Sequence, residues 1–138
     1  MVLEGIGIAA LAGWLLDACG DGADLPPATT STCSGGTCID LTDAANATLT
    51  QVGGTMAFDA DGDTILVART SATEVIALSA VCTHAGCIVD YSATTGNVEC
   101  ECHGSEFATD GSVLRGPADR PLKMYAATLS GTTITITT

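Results

Sequence analysis

Cys82-Thr-His84-Ala-Gly-Cys87 and Cys100-Glu-Cys102-His103-Gly-Ser105 contain both histidines of this 138-residue chain and four of its seven cysteines. The order is Cys-x-His, fifteen intervening residues, then Cys-x-x-His, with Cys87 three residues after the first histidine and Cys102 just before the second. Cysteine and histidine grouped in this way supply the sulfur and nitrogen donors that zinc and iron prefer. Zinc sites more often pair their ligands as Cys-x-x-Cys, and they give no reason for a second matched cysteine in each box. Gly86 and Gly104 permit tight loop turns whose backbone N–H groups can point at sulfur.

On either side of the boxes the chain reads as short strands. Thr64–Arg69 and Glu74–Ser79 are β-rich runs, and Leu122–Leu129, Ser130-Gly131 and Thr132–Thr137 predict a terminal hairpin. No segment after Leu41 has a helical period. Asp59-Ala-Asp-Gly-Asp63 starts like a calcium loop, but its twelfth position is Thr70 rather than a bidentate acid, so an acidic hairpin turn is expected. Aromatics are only 4%, which leaves small and β-branched residues to build the core.

Length allows one compact domain and no second catalytic one. Sixteen acidic residues against four basic give a net charge of -12, which excludes nucleic acid and favours a positively charged protein surface as partner. Seven cysteines are too many to stand idle in a reducing cytosol, so metal ligands, disulfides or both are expected, in an exported protein.

Residues 1–19 form an apolar N-terminal segment. Its run Ile6–Leu16 is too short to span a bilayer but fits the core of an export signal, although Glu4 stands where a basic residue belongs. Leu16-Asp17-Ala18-Cys19-Gly20 resembles a lipobox, apart from Asp17, so a membrane tether through this segment or a lipidated Cys19 is one expectation. Residues 20–40, rich in Gly, Pro, Thr and Ser, read as a flexible linker. Within them Cys33-Ser-Gly-Gly-Thr-Cys38 can close a small disulfide loop or hold two free thiols. The folded domain is expected over 41–138.

The two boxes resemble the C-T-H-x-G-C and C-x-C-H-G-S motifs of the Rieske-type 2Fe-2S proteins, and the likeness extends from about Val75 to Leu122. It implies an all-β Rieske fold: an antiparallel β-sandwich base with a cluster-binding subdomain, about 81–121, inserted between base strands. Cys82 and Cys100 would hold one iron of a single 2Fe-2S cluster, His84 and His103 the other, and Cys87 and Cys102 would form a disulfide between the loops. Two neutral imidazoles in place of thiolates remove negative charge, so the potential rises to about −150 to +300 mV.

By the same resemblance Ser105 would bond a bridging sulfide, and Arg115-Gly-Pro117-Ala118 would be the proline loop that covers the cluster. Phe107 replaces a tyrosine of many respiratory members. Ala85 and Glu101 replace their leucine and proline, which makes the tip less apolar and more acidic. The implied role is one-electron transfer, by an electron-transfer protein or complex subunit rather than an enzyme. It would sit in the periplasm or on the outer face of the cytoplasmic membrane, passing electrons toward a cytochrome c or within a quinol-oxidising complex. The alternatives are a ferredoxin-like donor to an oxygenase or reductase, and a structural metal-binding domain. The second cysteine pair favours the first role, because low-potential members of the wider family usually lack it.

Overall fold

The computed structural model describes residues 24–138; the apolar segment 1–19 and Cys19, with the signal and lipidation expectations, lie outside them. The strands are β1 Ser31–Cys33, β2 Gly36–Asp40, β3 Thr55–Ala60, β4 Asp63–Arg69, β5 Val75–Ser79, β6 Asp90–Ser92, β7 Asn97–Cys100, β8 Ser105–Phe107, β9 Val113–Arg115, β10 Met124–Ser130 and β11 Thr133–Thr137. They make an antiparallel base sheet of order β1-β2-β11-β10-β5-β4-β3 and a smaller sheet of order β6-β7-β8-β9.

Strand β4 joins the two cores. Ile65, Leu66, Val67 and Ala68 are all fully buried, so both faces of β4 are covered and its sequence is a continuous apolar run without alternation. Ile65 and Val67 pack with Phe58, Ile134 and Ile136 inside the base. On the opposite face Leu66 joins Leu78, Val89, Val98 and Phe107 beneath the small sheet.

The base sheet curls until its ends nearly meet. Ala57 in β3 donates to the Pro26 carbonyl at 2.9 Å and accepts from Ala28 N–H at 2.7 Å, yet Ser31 already pairs with Cys38 at the other end of the sheet. Three residues reach only about 10 Å, which forces the curvature. The acidic stretch at 59–63 is a two-residue hairpin turn, with Asp61 and Gly62 both at positive φ.

One expectation needs correction. Part of the stretch read as linker is sheet: β1 and β2 form a hairpin closed by a Cys33–Cys38 disulfide, and β2 pairs with β11. Polar composition hid this because the hairpin buries one large apolar side chain, Ile39. Gly36 matters here, since a Cβ on it would lie 2.3 Å from the Ile136 carbonyl oxygen. There is also a 3-10 helix at Ala44–Thr50, capped by Asp43 accepting from Ala45 N–H. It is too short to show a period.

Strands β5 and β10 are neighbours, with Leu78 opposite Met124, so residues 80–123 leave and re-enter between adjacent strands. At that neck the Ser79 hydroxyl and the Tyr125 phenol both donate to the Asp63 carboxylate, at 2.9 and 2.6 Å. Burial, then the bond to Asp63 and its charge, pushes the Tyr125 phenol up to about 12.

Candidate metal centre

Two loops of the inserted segment repeat one turn. Gly86 N–H donates to the Cys82 carbonyl and Gly104 N–H to the Cys100 carbonyl, each at 3.0 Å. Both glycines have positive φ, +72° and +77°, while a Cβ at either would meet nothing within 4 Å. Backbone conformation, and not space, therefore asks for glycine.

Strand alternation aims the residues of the second loop. In β7 and β8 Val98, Cys100, Ser105 and Phe107 point inward, and Glu99 and Glu106 point out. Cys100 lies directly opposite Ser105. Cys82 and Cys100 are buried and free, and belong to one apolar cluster with Phe107, which is fully buried. His84 and His103 are exposed, their rings edge to face with centroids 5.0 Å apart. Burial pushes the Cys100 thiol up and the neighbouring Cys82 adds to this, while the backbone N–H groups of Cys102 and His103 favour its thiolate. A bound cation reverses such a rise, because it stabilises the deprotonated ligand.

Cys87 and Cys102 form a disulfide, which bridges the two loops. The sulfurs of Cys87, Cys100 and Cys102 lie within 4.8 Å of one another, which resembles a three-thiolate cradle. Two of them are bonded to each other and have no thiolate to give. Of the three, only Cys100 is a ligand candidate, with the disulfide packed against it.

A third loop, 115–121, touches both. Ala118 N–H donates to the Ser105 hydroxyl oxygen at 3.0 Å, which leaves the Ser105 proton free to point elsewhere. Thr83 and Arg120 exchange two further bonds. Pro117 itself is exposed, after a cis Gly116–Pro117 peptide, and Ala118 beside it is buried. Thr83 and Ala118 lie in stretches that the sequence marks, whereas Arg120 carries no sequence signal, its partner Thr83 being 37 positions away.

The outer face of the small sheet is acidic. Asp90 is opposite Glu99 and Glu99 opposite Glu106, an arrangement of like charges that destabilises a sheet. Only the last has a cationic neighbour among the described residues, Arg115 at 3.5 Å. Glu101 continues this charge to the loop tip.

Two buried thiols, two exposed imidazoles and a covalent tie between their loops fit a 2Fe-2S cluster held by mixed cysteine and histidine ligands, a donor set that zinc also accepts. Residues 41–126 match the Rieske [2Fe-2S] domain family, and the chain belongs to it. Its cofactor is a single 2Fe-2S cluster. The chain is 44% identical over 68 residues to the cytochrome b6-f complex iron-sulfur subunit of Synechococcus sp. (strain JA-3-3Ab), covering 49% of this chain and 40% of that subunit. It thus spans well under half of that curated relative. The plasma membrane Rieske protein PetC3 of Synechocystis PCC 6803 superposes with a TM-score of 0.55 at 35% identity, over 62% of this chain and 87% of that one. The ferredoxin of carbazole 1,9a-dioxygenase from Nocardioides aromaticivorans IC177 gives 0.58 at 30%, over 65% and 91%. Among the described residues no helix is long and apolar enough to cross a membrane.

Proposed function

We propose that this chain carries single electrons, with Cys82 and Cys100 holding one iron of its cluster and His84 and His103 the other. One observation carries the reading: both free thiols among the described residues are buried and both imidazoles face solvent. When bound, the cluster accepts and releases one electron at a potential raised by its neutral ligands. The chain supplies the rest. Cys82 and Cys100 anchor the group in apolar surroundings, the disulfide restrains the loops, and the exposed rings of His84 and His103 offer an edge where an electron can leave and a proton be exchanged. It is an electron-transfer protein or complex subunit, and makes no bond in a substrate.

The partner is a cytochrome or a quinol-oxidising complex with a basic docking surface. The kinship with a cytochrome b6-f subunit supports this, and so do the acidic ladder of the small sheet and the net charge of -12. Two disulfides among the described residues support an exported location, in the periplasm or on the outer face of the cytoplasmic membrane. A second reading, a ferredoxin-like donor to an oxygenase, is favoured by the fold shared with the carbazole dioxygenase ferredoxin. The Cys87–Cys102 bridge weighs for the first.

Iron, acid-labile sulfide and a redox titration test the proposal. Two irons and two sulfides per chain, with a midpoint at or above zero, are expected. One zinc and no sulfide would overturn the ligand assignment, and a midpoint well below zero would move the role to the ferredoxin reading.

A further inference from the structure

The third loop meets the first through a reciprocal pair of bonds. The Thr83 hydroxyl donates to the Arg120 carbonyl at 2.7 Å, and Arg120 Nη2 donates back to the Thr83 carbonyl at 3.1 Å. Two bonds of opposite direction between the same residues fix both separation and twist. Thr83 stands between Cys82 and His84, so the orientation of its peptide sets where both of those side chains begin. The other contact of the Arg120 guanidinium is Asp119 at 3.9 Å, with both groups exposed, an interaction of little strength in water. Two residues before Arg120, Ala118 N–H donates to Ser105 on the second loop. Residues 118–120 therefore connect the first loop to the second by a route that bypasses the disulfide.

We propose that Arg120 is a positioning residue for the cluster: with Thr83 it forms a clasp that acts in parallel with the Cys87–Cys102 bridge and keeps the His84 loop in place. The inference rests on the ligand set proposed above. Both bonds lie at the surface, where water weakens a charge-assisted bond, so the weight of the clasp comes from two bonds of opposite direction acting together. The positive charge beside the ligand loop also favours the added electron. Packing and charge are separate effects, and different substitutions remove them.

The test uses purified holoprotein and two readouts, iron release to excess chelator and midpoint potential, with the disulfide intact and in a Cys87→Ala/Cys102→Ala background. Arg120→Gln is expected to release iron a few-fold faster, as befits the loss of one solvent-exposed hydrogen bond, and more so without the disulfide. It should also lower the midpoint. Arg120→Lys keeps the charge but not the planar fork, so it should restore the midpoint while still releasing iron faster than wild type. Thr83→Val should speed release with the midpoint little changed, and Thr83→Ser should behave as wild type. Equal release from wild type and Arg120→Gln in both backgrounds would overturn the clasp, and equal midpoints would overturn the charge effect. A wild-type chain that binds no 2Fe-2S would overturn the ligand set instead, a result visible before any variant is made.

Discussion

The base and the loop tip are held together by different means. In the base, Ile39, Met56, Ile65, Val67, Ile134 and Ile136 interlock in a core with no titratable group apart from Tyr125. At the tip, strands of three or four residues carry three largely exposed loops, joined by one disulfide, the Thr83–Arg120 pair and the Ser105–Ala118 bond. Stability in the base is spread over many contacts. At the tip it is concentrated in a few, each of which one substitution removes. A metal site built in this way can lose its cofactor while its platform survives.

Removing a ligand tests that separation most severely. Cys100→Ser is expected to abolish the cluster, and amide hydrogen exchange should then show lost protection in β6–β9 with β3, β4, β5, β10 and β11 still protected. If both sheets lose protection together, they are one cooperative unit and the contrast fails. Ile65→Ala strikes the other side. Emptying a fully buried isoleucine site costs about 3 kcal/mol in chemical denaturation, and the midpoint potential of the folded fraction should not move.

Replacing Cys87 and Cys102 by serine should destabilise the cluster-free protein by about 3 kcal/mol, the value for a loop closed over 15 residues, and the loaded protein by less. Equal losses in both states would mean that the metal does not share the work of the bridge. A smaller effect is expected at the neck between the two regions. The Tyr125 phenol ionises near 12 in the folded chain against 10.0 ordinarily, so its contribution is whole below pH about 10 and is lost as pH rises toward 12. Tyr125→Phe should flatten that alkaline limb and cost about 1 to 2 kcal/mol at neutral pH, read from urea unfolding at several pH values. The smallest shift belongs to Ser105→Ala, which should lower the midpoint by roughly some tens of millivolts, because it removes a hydroxyl whose proton is free to bond the reduced cluster. An unmoved midpoint would show that Ser105 serves only to hold Ala118.

Legibility in the sequence followed the range of the interactions. The ligand loops could be read because their information is local: Cys82 and His84, or Cys100, Cys102 and His103, stand within a single turn. Strands β4, β5 and β11 announced themselves by β-branched residues and β10 by the Ser130-Gly131 turn that follows it, each within two residues of where the sequence put it. Strands β1 and β2 did not, since Thr37, Cys38 and Asp40 gain their structure from β11, almost a hundred residues away. The tie of Arg120 to Thr83 was invisible for the same reason, as nothing marks Arg120 until the fold brings it to the first box.

The contact of residues 26–28 with β3 bears on how the protein behaves in a crowded solution. A sheet edge with unpaired N–H and C=O groups invites strands from other molecules, and β3, with Met56, Ala57 and Phe58 in its middle, would be an adhesive one. Both polar groups of Ala57 are already taken up by Pro26 and Ala28. The opposite edge, β1, is only three residues long and is pinned by its disulfide. With the middle of one edge covered and the other edge short, strand addition by a second molecule is disfavoured, so removing residues 26–28 should make the chain more prone to aggregate.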